Sequence, residues 1–219
     1  MLLLAADTSG KHGSIALARC GPGHACEVLE VVALEGGTFS AQLVPQIAAL
    51  LKQHGLGKQD LGAFAVASGP GSFTGLRVGL AAVKGLAEIL DKPIVAVSLL
   101  QAIASLSRNR GAVLALMEAG RNEVFAGEYG PEAARERLLS RNEALSADRT
   151  RTLVTPDKPL AEWLRASGRD VEEVAPPGSA DIARLGWKKL QAGQGISPQD
   201  LDANYIRRSD AEIFSGRHS

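Results

Sequence analysis

The chain has 219 residues, of which 45% are hydrophobic, 22% are charged and 4% are aromatic. These proportions are ordinary for a globular protein of one domain or two compact lobes, so they exclude disordered, collagen-like and coiled-coil classes. The 24 basic side chains are balanced by 24 acidic ones. Because proteins that bind nucleic acid on their own carry a basic surplus to neutralise phosphates, this balance argues against independent RNA binding.

The sequence predicts no membrane segment. The longest apolar runs, residues 2–6 and 112–117, are far shorter than the ~20 residues that span a bilayer. The N-terminus has no basic stretch followed by an apolar one, so we expect no signal peptide. A cytoplasmic protein is therefore the expectation.

The sequence also predicts no metal site. Cys20 and Cys26 lack the CxxC spacing of a zinc site, so we expect reduced thiols and keep a disulfide or a zinc role as the alternative. The histidines show no ligand spacing either. They are His12, His24, His54 and His218.

Hydrophobic patterning predicts a β-meander followed by alternating helices and strands. Strands are predicted at residues 2–6, 14–20, 28–34, 62–67, 93–97, 112–117, 123–129 and 153–155. Helices are predicted at residues 41–54, 73–90, 99–106, 160–166 and 182–191. Residues 137–145 are ambiguous, and the tail at residues 201–214 is mixed.

This order of elements favours an α/β protein with a mixed sheet in each of two lobes. We place the boundary at residue 98, which gives an N-terminal lobe at residues 1–98 and a C-terminal lobe at residues 99–219. The last segment is a candidate to pack back on the first lobe.

The densest special sequence is SGPGSFTGLRVG at residues 68–79. Glycines between a buried strand and a helix can leave backbone amides at the helix start free to bind an anion. The segment misses the GxGxxG fingerprint by one residue and lacks the lysine of a P-loop. A tight strand-to-helix turn that binds no anion is therefore an equal alternative.

A second polar group lies at the end of the first predicted strand. It offers one carboxylate and two hydroxyls, which Mg²⁺ and phosphate can engage, although a hairpin turn explains the same residues. With the glycine-rich turn, it gives a candidate vestigial anion or nucleotide site. The residues of this site are Asp7, Thr8, Ser9, Gly69, Gly71 and Ser72.

The predicted helix at residues 73–90 carries two adjacent apolar stripes. One consists of Leu76, Leu80, Val83, Ala87 and Leu90, and the other of Gly75, Gly79, Ala82 and Leu86. Together they cover about 160° of the helix, more than the ~100° stripe of a surface helix. The pattern fits packing on the helix at residues 41–54 or a subunit interface, and it does not distinguish the two.

Several segments resemble the signature of the TsaB (YeaZ) family. The central match is SGPGSFTGLRVGL at residues 68–80 with AVKGLA at residues 82–87. The similarity extends to LAADTS at residues 4–9, VAVSLLQAIA at residues 95–104, EVF at residues 123–125 and NYIR at residues 204–207. The resemblance implies an actin/Hsp70/sugar-kinase-like fold of two RNase H-like lobes with mixed sheets.

The same resemblance implies a role in forming N6-threonylcarbamoyladenosine at position 37 of tRNA. Proteins of this family are the non-catalytic partners of the TsaD threonylcarbamoyltransferase. They form homodimers when alone, and the bacterial assembly also recruits a TsaE-like ATPase. We therefore expect no intrinsic cofactor, Mg-ATP only in the assembled complex, and contact with tRNA only through that complex.

The resemblance further implies docking through the two helices of the N-terminal lobe, which matches the wide apolar arc on residues 73–90. The predicted partner contacts are Leu43, Ile47, Leu50, Leu76, Gly79, Ala82, Val83 and Leu86.

Departures from the related catalytic subunit favour a scaffold. That subunit has metal-binding histidines four residues apart on its first helix, where this chain has Phe39 and Leu43. Neither side chain can ligate a metal. Beyond Asp7, no second-lobe glycine loop completes a nucleotide cleft. The alternatives are an independent ATPase or kinase of this fold, a glycoprotease-like peptidase, or an RNA-binding module, the last opposed by balanced charge and few aromatic residues.

Overall fold

The structure is a computed structural model that describes residues 1–23, 25–130, 134–204 and 206. Some positions singled out in the sequence lie outside these residues. They are His24, His218, Tyr205, Arg207 and most of the predicted tail at residues 201–214.

Every strand and helix predicted from the sequence is present. The strands are β1 (Leu2–Asp7), β2 (Gly13–Cys20), β3 (Cys26–Leu34), β4 (Leu61–Gly69), β5 (Ile94–Ser98), β6 (Val113–Gly120), β7 (Glu123–Tyr129), β8 (Arg135–Ser140), β9 (Thr152–Thr155) and β10 (Val171–Glu173). The α-helices are α1 (Phe39–Gln53), α2 (Phe73–Leu90), α3 (Leu99–Ser105), α4 (Arg141–Leu145), α5 (Lys158–Ala166) and α6 (Ser179–Gln191).

The chain divides into two compact units. The first comprises Met1–Ala102 and Pro177–Ala203, and the second comprises Ile103–Pro176 and resumes at Asn204. The boundary falls within α3, just after the division predicted at residue 98. That division assigns α6 to the second lobe, whereas α6 packs on β1, β2 and β4 of the first unit.

The first unit is built on a five-stranded mixed sheet in the order β3-β2-β1-β4-β5. The meander β1-β2-β3 is antiparallel, as predicted, and β1, β4 and β5 are parallel. Strand β4 is buried along almost its whole length, as is typical of a parallel strand covered on both faces.

Strand alternation sends side chains of the first unit to two different layers. Leu4, Leu17 and Phe64 belong to a core packed against α1 and α2. On the opposite face, a Cβ built at Gly186 of α6 would lie 2.5 Å from Cβ of Ala65 in β4. Helices α1 and α2 therefore cover one face of the sheet, and α6 covers the other.

Capping residues set the limits of α2, which are those predicted. Oγ of Ser72 accepts a hydrogen bond from the backbone N–H of Gly75 at 3.3 Å, so Ser72 is the N-cap. Asp91 takes a left-handed conformation with φ of 52° directly after Leu90 and ends the helix.

The second unit repeats the topology of the first. Its sheet has the order β10-β9-β6-β7-β8, with β6, β7 and β8 antiparallel and β6, β9 and β10 parallel. A meander of three strands extended by two parallel strands therefore occurs twice. This confirms the predicted fold class of two RNase H-like lobes with mixed sheets.

The ambiguous residues 137–145 contain a change from strand to helix. Ser140 is the last residue of β8 and also the N-cap of α4. Its Oγ accepts from the backbone N–H of Glu143, and the carboxylate of Glu143 accepts from the backbone N–H of Ser140 at 2.7 Å, which forms a capping box.

Across the described ranges, no helix is both long enough and apolar enough to cross a membrane.

Candidate functional site

The two polar segments singled out in the sequence meet in the first unit. The backbone N–H of Ser72 donates a hydrogen bond to the carbonyl of Ser9 at 2.7 Å. The hydroxyl of Thr8 donates to the carbonyl of Gly75 in α2, also at 2.7 Å. The end of β1 is thus tied to the start of α2, and we call this meeting point the β1–α2 junction.

Asp7 lies buried at the β1–α2 junction. Its Oδ1 accepts two hydrogen bonds from Ser9, one from the backbone N–H at 2.9 Å and one from the hydroxyl at 2.6 Å. Burial raises the pKa of Asp7 above its usual value, and the two hydrogen bonds from Ser9 partly oppose this rise. The carboxylate is therefore held by its own loop in an environment that disfavours its charge.

The raised pKa makes the charge on Asp7 a cost to stability at neutral pH. The folded chain keeps this proton to a higher pH than the unfolded chain, so the loss of stability begins as the pH rises past 3.8 and is complete above the folded-state pKa. An Asn side chain retains an oxygen that accepts from Ser9 and carries no charge. We expect Asp7→Asn to be more stable than the natural chain at pH 7, because the variant buries no charge at this position.

Urea unfolding of Asp7→Asn and the natural chain at several pH values checks this expectation. The stability advantage of the variant should shrink as the pH falls towards the ordinary pKa of an aspartate. A variant that is less stable at pH 7 would show that the ionised carboxylate contributes a stabilising contact.

The glycines of the motif are explained by close contact with the β1–α2 junction. A Cβ built at Gly71 would lie 2.6 Å from the carbonyl oxygen of Ser9. A Cβ at Gly75 would overlap the carbonyl oxygen of Thr8, and one at Gly79 would overlap Oγ1 of the same residue. Gly75 and Gly79 of α2 therefore face Thr8 of their own chain, directly after β1.

Three hydrogen-bond donors at the β1–α2 junction are directed to acceptors within the chain. The amide of Ser72 and the hydroxyls of Thr8 and Ser9 all donate to protein oxygens. This arrangement fits the turn alternative stated above. The vestigial anion or nucleotide site stays a prediction.

A cavity of about 710 Å³ lies beside the junction in the first unit. Three segments line it: the turn after β1, the connection from β3 to α1, and the first turns of α2. Its lining residues include Ser9, Lys11, His12, Ser40, Ser72 and Thr74. The lining also includes Phe39, Val78 and four glycines, so it is partly apolar.

Most of the predicted partner contacts belong to the chain's own core. Between 0% and 4% of the surface is exposed at Leu43, Ile47, Leu50, Leu76 and Val83. They pack in one cluster with the sheet, and Gly79 is buried against Thr8. Because side chains inside a packed core cannot touch another protein, the prediction of direct contact is wrong for these six residues. Ala82 and Leu86 are partly exposed and remain available.

A different set of residues forms the exposed apolar surface of α1 and α2, which pack against each other. Ile89 is 76% exposed, Val44 is 50% exposed, and a Cβ at Gly85 would meet no atom within 4 Å. We call this surface the outer helical face. It consists of Val44, Ala48, Val78, Ala82, Gly85, Leu86 and Ile89.

Val44, Gly85 and Ile89 are not among the residues predicted from the sequence to contact a partner. At 100° per residue, Gly85 and Ile89 lie within 40° of each other on α2 and beside Val78 and Ala82. This third apolar strip of α2 is the sequence pattern from which an exposed apolar surface could have been predicted. The exposed charged residues Arg77 and Glu88 flank this strip, so the pattern on that side of the helix is mixed and not uniformly apolar.

Residues able to hold a metal ion are not grouped in the described ranges. No set of three His, Cys, Asp or Glu side chains lies close enough there to share an ion. Phe39 and Leu43 are both buried in the core of the first unit.

Comparisons with known proteins place these features in a family context. A family model described as TsaD, tRNA N6-adenosine threonylcarbamoyltransferase, matches residues 36–200. The tRNA threonylcarbamoyladenosine biosynthesis protein TsaB of Bacillus subtilis is 33% identical over 230 aligned positions, which cover 97% of this chain and 96% of the relative. The TsaB protein of Escherichia coli is 35% identical over 233 positions, with 96% of each chain covered.

A solved structure shows the same fold. A Pseudomonas aeruginosa protein, described as uncharacterized with similarity to peptidase YeaZ, superposes with a TM-score of 0.75 at 25% identity. The superposition covers 94% of this chain and 99% of that one. The likeness therefore extends over both units.

Proposed function

The chain belongs to the TsaB family, and from that membership we propose that it is the non-catalytic subunit that pairs with a TsaD-like threonylcarbamoyltransferase in making tRNA threonylcarbamoyladenosine. The observation that carries the proposal is the similarity to two proteins named for this biosynthesis over nearly the whole of both chains. A match confined to one lobe would support the fold alone, since this fold serves many functions.

The outer helical face supplies the docking surface in this proposal. Its side chains are small or aliphatic, and several of them are well exposed. Exposed aliphatic side chains on a pair of packed helices are typical of a protein–protein contact. The TsaD-like subunit covers it in the heterodimer, and a second copy of this chain covers it in the homodimer.

The side chains at two positions support a scaffold role. Phe39 and Leu43 fill the core where the related catalytic subunit has metal-binding histidines. We propose that the chain contributes no metal and no cofactor of its own, and that Mg-ATP and the TsaE-like ATPase act only in the assembled complex. Threonylcarbamoyl transfer then depends on the TsaD-like subunit, and this chain stabilises the active arrangement of that partner. Both proteins act in the cytoplasm in this proposal.

Contact with tRNA occurs through the complex in this proposal. The 24 basic and 24 acidic residues leave no net charge with which the chain alone could hold the phosphate backbone. Isolated protein should therefore show no salt-dependent tRNA affinity.

Co-purification followed by an activity assay tests the proposed function. Tagged chain should retain the TsaD-like protein of the same organism, and threonylcarbamoyladenosine in tRNA should appear only when both subunits and the TsaE-like ATPase are supplied. Leaving out this chain, with all other components kept, should abolish the product. Full activity without it, or ATP turnover by the isolated chain, would overturn the proposal in favour of an independent enzyme.

A further inference from the structure

The two cysteines stand directly opposite each other at the tip of the β2–β3 hairpin. The backbone N–H of Cys20 donates to the carbonyl of Met1, and its carbonyl accepts from the Met1 ammonium, both at 2.8 Å. The next hydrogen bond towards the hairpin tip joins Gly21 to Ala25 at 2.9 Å. Cys20 and Cys26 thus form a non-hydrogen-bonded pair, the position in an antiparallel ladder where facing side chains are closest.

The geometry of this pair suits a covalent bridge. The two sulfur atoms are 3.2 Å apart, and both cysteines are free thiols. Facing Cα atoms at a non-hydrogen-bonded position lie about 4.5 Å apart, which is within the range that a disulfide spans without moving the backbone.

We propose that Cys20 and Cys26 are a redox pair that closes to an intramolecular disulfide by exchange with a low-molecular-weight disulfide such as oxidised glutathione. The pair does not have CxxC spacing, because the two cysteines face each other across two strands and do not lie within one turn. The bridge links the first residue of β3 to the last residue of β2.

The two thiols have different environments. Cys20 is 2% exposed, whereas Cys26 is half-buried. The hydrogen bond that Cys20 donates lowers the pKa of Cys26, and the charge of Arg184 on α6 acts in the same direction. The same hydrogen bond, followed by burial, raises the pKa of Cys20. Cys26 is therefore the attacking thiol and Cys20 the resolving thiol.

The exchange balances in two steps. The Cys26 thiolate attacks one sulfur of oxidised glutathione, which forms a mixed disulfide and releases one glutathione thiolate. Cys20 then loses its proton to solvent and attacks Sγ of Cys26, which releases the second glutathione. The released thiolates take up the two protons, so two cysteine thiols are oxidised and one glutathione disulfide is reduced to two thiols.

The pair lies on the face of the sheet away from α1 and α2. Ile15 and Leu17 of β2 point into the core beneath those helices. Ser14 and Cys20 alternate with them, and Oγ of Ser14 accepts from the backbone N–H of Ser179 in α6 at 3.1 Å. The bridge therefore forms opposite the outer helical face, and its test does not depend on partner docking.

Titration of the full-length protein with mixtures of reduced and oxidised glutathione tests the proposal. As the oxidised fraction rises, both thiols should disappear from the folded chain, with a mass loss of about 2 Da for the two hydrogens. A trypsin digest without reductant should place the bridge between Cys20 and Cys26. Two persistent thiols, stable glutathione adducts without a bridge, or bridges only between chains would each overturn it.

Single variants test which thiol attacks. Cys20→Ser should retain one glutathione on Cys26, because the resolving thiol is missing. In Cys26→Ser, the buried thiol of Cys20 should stay free under the conditions that modify Cys26 in Cys20→Ser. Circular dichroism verifies that both variants are folded. Faster modification of Cys20 than of Cys26 would reverse the assignment. If Cys20→Ser does not fold, the natural chain supplies the test. A mixed disulfide on Cys26 that forms before the bridge would show that Cys26 is the attacking thiol, and its absence would contradict that assignment.

Discussion

Ile89→Asp is expected to weaken association with the TsaD-like partner by about 2–3 kcal/mol, or roughly 30- to 150-fold in Kd. The natural side chain is 76% exposed, so the substitution leaves the core of the first unit intact. In the complex, a carboxylate at this position would be buried against an apolar partner without a counter-charge, which is costly. Titration calorimetry of the purified subunits measures the loss.

Val31→Asp is the matched control for this prediction. Val31 is also an exposed aliphatic residue of the first unit, with 47% of its surface accessible, but it lies on β3 and outside the outer helical face. Its replacement should leave the affinity for the partner unchanged. Equal weakening by both variants, or none by Ile89→Asp, would show that docking does not use the outer helical face.

The fold could be predicted from the sequence because its elements carry local signals. The limits of α2 follow from a Ser at the N-cap and from the residue after Leu90, both of which act within one turn of the helix. The short strand β10 was missed because three residues show no alternation. Residues 137–145 were ambiguous because Ser140 ends a strand and caps a helix at once.

The site was harder to predict because its contacts are distant in sequence. Periodicity showed that Gly75 and Gly79 share a side of α2, but it carries no information about which neighbour that side meets. The neighbour is Thr8, more than sixty residues earlier in the chain. Spacing is equally uninformative for Leu43 and Val83. Their apolar periodicity fits both a core and an interface, and only their burial distinguishes the two.

Gly75→Ala is expected to lower the stability of the folded chain by about 2–4 kcal/mol. The added methyl group would overlap the carbonyl oxygen of Thr8, and backbone cannot rotate away as a flexible side chain can. Separating β1 from α2 would also stretch the hydrogen bond from the Thr8 hydroxyl to the Gly75 carbonyl. The thermal midpoint should fall by roughly 5–15 °C, as measured by circular dichroism.

Gly85→Ala is the same substitution in the same helix, and we expect it to raise the stability of the folded chain, whereas Gly75→Ala lowers it. A Cβ at Gly85 would meet no atom within 4 Å, so only the difference in helix propensity applies. Alanine favours a helix over glycine by about 1 kcal/mol, and this variant should melt a few degrees higher than the natural chain. If the two variants changed stability alike, contact between Gly75 and the β1–α2 junction could not be the reason for the glycine. If they diverge as expected, the glycines of the motif serve the join between strand and helix within this chain.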